Sequence, residues 1–552
     1  MSTVGAASTV SIDRRTVLLA TGVALGAAAC APNASGDPAG GGSTTTVAPA
    51  STSLPPTTSS TPRPTPGVLD ARLAVDKLTF GPRPGLVAAV EAEGVWAWID
   101  RQLDPVAGGV ASADGRLGDC PSLRNRHRVN YDVQRSTGGV ERLRAELDYS
   151  VILRAVSSDR QLNELMVDFW SNHFNVWRHH TWRMFLASTY AETALRPHAL
   201  GRFSDLLVAV MHHTAMLEYL DAVLSDASVP GGVNQNLARE LLELHTLGIA
   251  DGHAPYTERD VAGVAQILSG WSLDWRLTDA MFDFLFRPWQ HSLAAVEVLG
   301  GAFSRPARTY GEGYDDGLRL LSVLATHPST ARHLALKLCR RFVGDRPSDQ
   351  LVASTADVYL ASGTAIAPTL RHIFESDEFA RSARAKVRRP FELVVAGLRA
   401  TDAQLPDSPV SIAAVALRRL LADLGQPLHE RRTPDGYPDD ERSWSSAEGL
   451  LQRWSAMGRL AANRLTDAAA AGAITVDLRA LLPAALPATA ADLLRTLATS
   501  VAGVDLSAST AAALCTALGA DPADPAATVA DHPDRLAMAV GLVLSHPTFQ
   551  RR

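Results

Sequence analysis

Apolar residues recur at helical spacing in nearly every segment beyond residue 67, and clear strand alternation is scarce. The segment "VLDARLAVDKL" has this spacing and stops at the breaker cluster "TFGPRPG". "SSDRQLNELMVDFWSNHFNV" opens with Ser158 three residues before Gln161, the pattern of a capping box. "YTERDVAGVAQILSGW" opens with Thr257 three before Asp260 and runs out at Gly270. Further helices are predicted at 139–156, 182–195, 201–212, 314–326, 329–343, 349–361, 367–376 and 388–400. Segments 221–233 and 272–313 read as long loops, and no solenoid-like repeat is present. The expectation is an all-α protein, a large multi-helix globular domain over 67–552, with the Ala- and Leu-rich stretch 402–552 as a candidate C-terminal helical lobe. With 552 residues, 46% of them hydrophobic, the chain has enough apolar material for a large core.

Residues 1–30 read as a targeting segment. Arg14 and Arg15 precede the uncharged stretch "TVLLATGVALGAAAC", the layout of a Tat export signal. Its apolar run is too short for a comfortable membrane span and ends in small residues before Cys30, as a lipobox does. Cleavage before Cys30 and lipid attachment there are the expectation, with ordinary signal-peptidase cleavage as the alternative. Residues 31–66 are rich in Ser, Thr, Pro, Gly and Ala and too poor in large aliphatics to offset the entropy of ordering, so they read as a disordered tether. An exported, extracytoplasmic protein follows, held at the outer face of the membrane through Cys30. Cys120, Cys339 and Cys515 are far apart and form no CxxC pair, so their spacing gives no support to a cysteine zinc site, and an odd number leaves at least one free thiol.

Formal net charge is −6 with no basic run, so a nucleic-acid footprint is missing. The sequence contains no HExxH, GxSxG, GxxxxGK[ST] or GxGxxG motif, and no signature names a cofactor or metal. Candidate residues come instead from separate segments. In "GGVNQNLARELLELHTLG" a helix from about 233 to 247 places Leu237, Leu241 and Leu244 on one stripe and Asn236, Glu240 and Glu243 on the next. Arg239 is in position to pair with Glu243, and Gly248 supplies a stop. Two carboxylates one turn apart suit proton sharing, cation binding or acid–base work, but they equally suit an internal network that fixes helix packing. In "DFWSNHF" one apolar face carries Met166, Phe169, Trp170, His173 and Phe174. His173 is first a core histidine and second a ligand or base, while Asn172 lies off that face. His179 and His180 are weak candidates on a loop, and His212–His213 reads as a helix end where a positive imidazole suits the dipole. A composite site would draw on Asn172, His173, Arg196, Asp221, Asn236, Glu240, Glu243, His245 and His291. Trp170, Trp177, Trp182, Trp271, Trp275 and Trp289 fall in the same half and suit either a core or a carbohydrate-like polymer.

The segments "ELMVDFWSNHFNV", "LRPHALGRFSDLLVAV", "AMLEYLD", "NQNLARELLELHTLG", "YTERDVAGVAQILSGW", "HPSTARHLALKLCRRFV" and "KVRRPFELVVAGLRA" occur in this order. Together with "LTFGPRPG" and "DGYPDDERSWSSAEGLLQRW" they resemble the bacterial family called "domain of unknown function 1800" over nearly all of 67–552. The resemblance implies a helical, usually exported protein and supplies no activity. The chain departs from the family pattern at Gln235, where Glu is expected, at Ala222, where Asn is expected, and at Ser292, where Asp is expected. Two function classes follow. The first is an envelope-tethered protein that binds or scaffolds a surface polymer or an exported partner. The second is an extracytoplasmic enzyme, hydrolytic or metal-assisted, centred on 172–173 and 234–245.

Overall fold

The computed structural model describes residues 69–105, 114–178, 183–249, 252–466 and 472–552. Cys30, the targeting segment, the tether, His179, His180 and Trp182 lie outside the described residues. The helices that build the site, labelled in chain order, are α1 (Ala71–Leu78), α2 (Gly139–Ser157), α3 (Gln161–His173), α4 (Phe203–His212), α5 (Asn236–Glu240), α6 (Glu258–Leu268), α7 (Pro328–Phe342), α8 (Pro390–Ala400), α9 (Ala447–Ala461) and α10 (Pro533–Ser545).

The architecture is all-α, as the spacing predicts. Helix α8 is its axis, because every residue of "PFELVVAGLRA" is buried. A helix with no solvent face must be surrounded, and α2 and α9 pack on α8 while α10 packs on α9. The "LTFG" turn after α1 also presses on it. Gly81 has φ +146, and a side chain there would come within 2.9 Å of Ala396. That close approach requires glycine.

Large buried cations hold these layers together. Arg399 donates to the carbonyls of Gly81 (2.7 Å) and Val156 (2.6 Å). Arg388 donates to Phe549 (3.2 Å), Arg453 to Arg388 (2.8 Å) and Arg552 to Arg341 (3.0 Å). Each guanidinium thus joins segments distant in sequence by meeting main-chain carbonyls that burial would otherwise leave unpaired. Residues 386–388 also pair through backbone bonds with 550–552, which ties the C-terminal helices to the core. Cys120, Cys339 and Cys515 are buried free thiols.

Local expectations fared unevenly. Thr257 and Asp260 form the capping box predicted at the start of α6. Ser158 and Gln161 do not. Helix α3 begins only at Gln161, and the Gln161 amide instead accepts from Phe80 N (3.1 Å) and donates to Ala155 O (3.0 Å). The long loop expected at 272–313 carries two short antiparallel pairs, β1 (Trp271–Leu273) with β2 (Phe284–Phe286) and β3 (Val296–Val298) with β4 (Phe303–Arg305). Three-residue strands are too short to show alternation in sequence. Among the described residues no helix is long and apolar enough to cross a membrane.

Candidate functional site

Helix α3 buries Met166, Phe169, Trp170 and His173 on one face, so the last turn delivers His173 into the interior. Helix α7 places His333 and Lys337 one turn apart on the face opposite. The third contribution comes from the end of α5. There the backbone widens into a π-helical turn over Leu241–His245. The extra residue per turn moves the inward position from Leu244, expected on the core stripe, to His245, which is fully buried. Gly248 then ends the segment at φ +73 against the His333 ring.

The imidazoles of His173 and His245 lie 6.0 Å apart, and those of His173 and His333 6.1 Å. Nε2 of His173 is 3.1 Å from the His245 carbonyl. A carbonyl only accepts, so Nε2 carries the hydrogen and Nδ1 is an acceptor. Lys337 Nζ lies 2.9 Å from that Nδ1 and donates to it. His333 Nε2 donates likewise to Leu244 O (3.2 Å). Burial, reinforced by the Lys337 charge, brings His245 down to about 3 and His333 to about 4, and holds His173 well below the usual histidine range. The cluster is therefore a neutral imidazole set around one amine. Burial pulls that amine to about 8, with Asp439 and Asp435 resisting and Arg340 adding to the fall.

A cavity of about 530 Å³ opens over this cluster, lined by α3, α7 and the segment 435–442. The lid-like segment is held by the asparagines of "SNHFN". Asn172 Nδ2 donates to Tyr437 O (2.8 Å) and its Oδ1 accepts from Tyr437 N (2.7 Å). Asn175 donates to the carbonyls of Arg431 (3.0 Å) and Thr433 (2.9 Å). Gly436, at φ +74, lies so close to Asn172 that any side chain would overlap it.

The charges on the wall sort into two groups. The acidic ones are taken. Asp345 and Asp439 accept from Lys386, Asp435 from Arg431, and Asp440 from Ser443. Arg341 meets Glu392, and Arg389 meets Asp168. Arg340, Arg346, Arg442 and Lys337 have no carboxylate within 4 Å among the described residues.

Of the nine candidates, Asn172, His173 and His245 are brought together, and Asn172 and His173 line the cavity. Glu240 and Glu243 stand half-buried to one side and do not line the cavity, although the Asp435 charge reaches Glu240. Arg239 does not pair with Glu243. Glu258, projecting from the start of α6, holds both its terminal nitrogens at 2.7 Å. Asn236 donates to Asp221 (3.2 Å) in an exposed contact, and Asp221 sits at φ +58. Arg196 is enclosed by Glu164 and Glu192. His291 is buried elsewhere, with Nδ1 2.7 Å from Ser269 O and its ring on Phe286. His212 and His213 are not positive helix-end groups. Burial lowers His212 to about 4 and holds His213 well below the usual histidine range, and His212 stacks on Trp271 at 4.7 Å. Trp170 and Trp271 are core residues, whereas Trp289 is exposed. No group of three or more His, Cys, Asp or Glu among the described residues is arranged to hold a metal ion.

A family model described as "Protein of unknown function (DUF1800)" matches residues 73–551. The chain belongs to this family. No curated protein and no solved structure matches it. In this DUF1800 protein the departures at Gln235, Ala222 and Ser292 all lie off the cavity wall. Gln235 is exposed ahead of α5, Ala222 is buried in a short turn, and the Ser292 carbonyl accepts from Arg305. Sequence reasoning missed Lys337, Arg340, Arg346 and Arg442. A signal for the first was present, because this DUF1800 chain contains only three lysines, Lys77, Lys337 and Lys386, among 52 Lys and Arg residues. The "DGYPDDERSW" run was noted for its resemblance alone, and nothing local to it shows that it closes over α3.

Proposed function

We propose that this is an exported envelope protein, tethered through lipid on Cys30, that binds a segment of anionic surface polymer in the cavity between α3, α7 and residues 435–442. One observation supports the ligand class above all. The acidic groups on the wall are occupied by neighbours, whereas Arg340, Arg346, Arg442 and Lys337 have no carboxylate partner among the described residues. Unmatched cations around a concave site favour a phosphate, sulfate or carboxylate group. A volume of about 530 Å³ suits one or two units of a polymer.

Calorimetric titration of the full chain with dextran sulfate, against neutral dextran, tests the reading. Dextran sulfate should bind, more weakly as salt rises. The double substitution Arg340→Glu and Arg346→Glu should weaken binding by about tenfold or more, a loss of about 1.4 kcal/mol, with an unchanged far-ultraviolet spectrum. Equal affinity of variant and wild type, or no binding by either, refutes it. For the tether, Cys30→Ser should move the protein from washed membranes to the soluble fraction; a wild type already soluble removes the anchor.

A further inference from the structure

Lysine is so rare here that each of the three has a distinct use. Lys77 is buried and donates to Val343 O at 3.0 Å. Lys386 is buried and holds Asp345 (2.7 Å) and the carbonyl of Asp439 (2.8 Å). Among the described residues, Lys337 has no oxygen partner. Its amine donates to a neutral imidazole and lines the cavity. Arginine serves nearly every other cationic position in the chain, including the wall around it. An arginine cannot release its proton and become a nucleophile, whereas an amine can. A lysine desolvated next to another cation is the arrangement that activates amines toward carbonyl groups.

From the placement of Lys337 against His173 in the cavity that Arg340, Arg346 and Arg442 also line, we propose that Lys337 is a reactive amine that forms an imine with a small carbonyl compound carrying a carboxylate. The inference rests on the anion-binding reading above, since Arg340 and Arg346 would hold the carboxylate. The Nζ lone pair attacks the carbonyl carbon and a C–N bond forms. The oxygen takes up a proton as the nitrogen gives one to solvent. The carbinolamine hydroxyl takes a second proton from solvent and leaves as water while the nitrogen lone pair forms C=N, giving the protonated imine. The step consumes no oxidant or reductant. His173 accepts one N–H through Nδ1, and its tautomer is fixed by the His245 carbonyl. Burial keeps the amine near 8, so a fraction is unprotonated at neutral pH.

Incubation of the full chain with glyoxylate and cyanoborohydride, followed by peptide mass spectrometry, tests this. Carboxymethylation of Lys337 should exceed that of Lys77 and Lys386 by about tenfold, and dextran sulfate should suppress it. Lys337→Arg should abolish modification at residue 337 while Lys77 and Lys386 label as in the wild type. The Arg340→Glu, Arg346→Glu variant should label more slowly although its Lys337 is intact. If Lys337 labels no faster than the other two while dextran sulfate still binds, the imine proposal fails and the anion site stands. If neither labelling nor binding occurs, both fail. If glycolaldehyde, which lacks the carboxylate, labels Lys337 as fast as glyoxylate under cyanoborohydride, the stated substrate class is wrong.

Discussion

Glu240 stands half-buried with Glu243 one turn away, and the cation that precedes it in sequence is committed elsewhere, since Arg239 is held by Glu258. Burial, then the Glu243 charge, raises the Glu240 pKa, and Asp435 adds to the rise against Arg239. Tyr256 offers Glu243 a long hydrogen bond of 3.4 Å and gives Glu240 none. The ionised carboxylate is thus a small cost to the fold and not a member of a closed ionic network. Glu240→Gln should raise the melting temperature slightly at pH 7, in keeping with relief of about 0.3–0.5 kcal/mol from a like-charge neighbour one turn away. A fall of several degrees in a thermal melt would show that the carboxylate has a stabilising partner after all. His173 behaves differently, because both its nitrogens are matched and its tautomer is set by a backbone carbonyl.

At the level of helices and turns, the parts legible in sequence were those with a local cause. The Thr257 cap, the Gly248 stop and the apolar face of α3 are each written in residues a few positions apart. The parts missed depend on distant partners or on backbone geometry with no composition signature. The π turn after α5 exchanged Leu244 for His245 on the buried side, and no residue in "LLELH" announces a wider turn. Ser158 has the spacing of a cap but serves an extended approach to α3, because Gln161 is drawn away by Phe80 and Ala155. The candidate site was half legible. Asn172, His173 and His245 carried enough pattern to be named. Their partner Lys337, spaced 164 positions from His173, had only its rarity to mark it. Asn172 looked available for a ligand, yet both ends of its amide are spent on the backbone of Tyr437.

The whole molecule carries several imidazoles that burial keeps uncharged, His212 and His333 at about 4 and His245 at about 3. In the unfolded chain they take up protons near pH 6.5, whereas in the folded one they do not until the pH is far lower. The unfolded state therefore binds more protons between these values, and stability falls as pH drops from about 6.5 toward 4. Glu240, with its raised pKa, acts in the opposite direction but is one group against several. Paired carboxylates such as Asp148, lowered by Arg178 and His429 despite burial, add their loss only below about 4. Melting temperatures measured at half-unit steps from pH 7 to 5 should decline steadily; a flat profile over that range would mean the imidazoles are charged in the fold. The cavity adds a consequence for biosynthesis. One wall comes from Asn172 and His173 and the facing one from 435–442, more than 250 positions later. A ribosome that has finished α3 has made half a site, whose closing segment is still unread message. Synthesis past residue 442 must precede assembly, so a stop codon near 430 would delete a wall of the cavity.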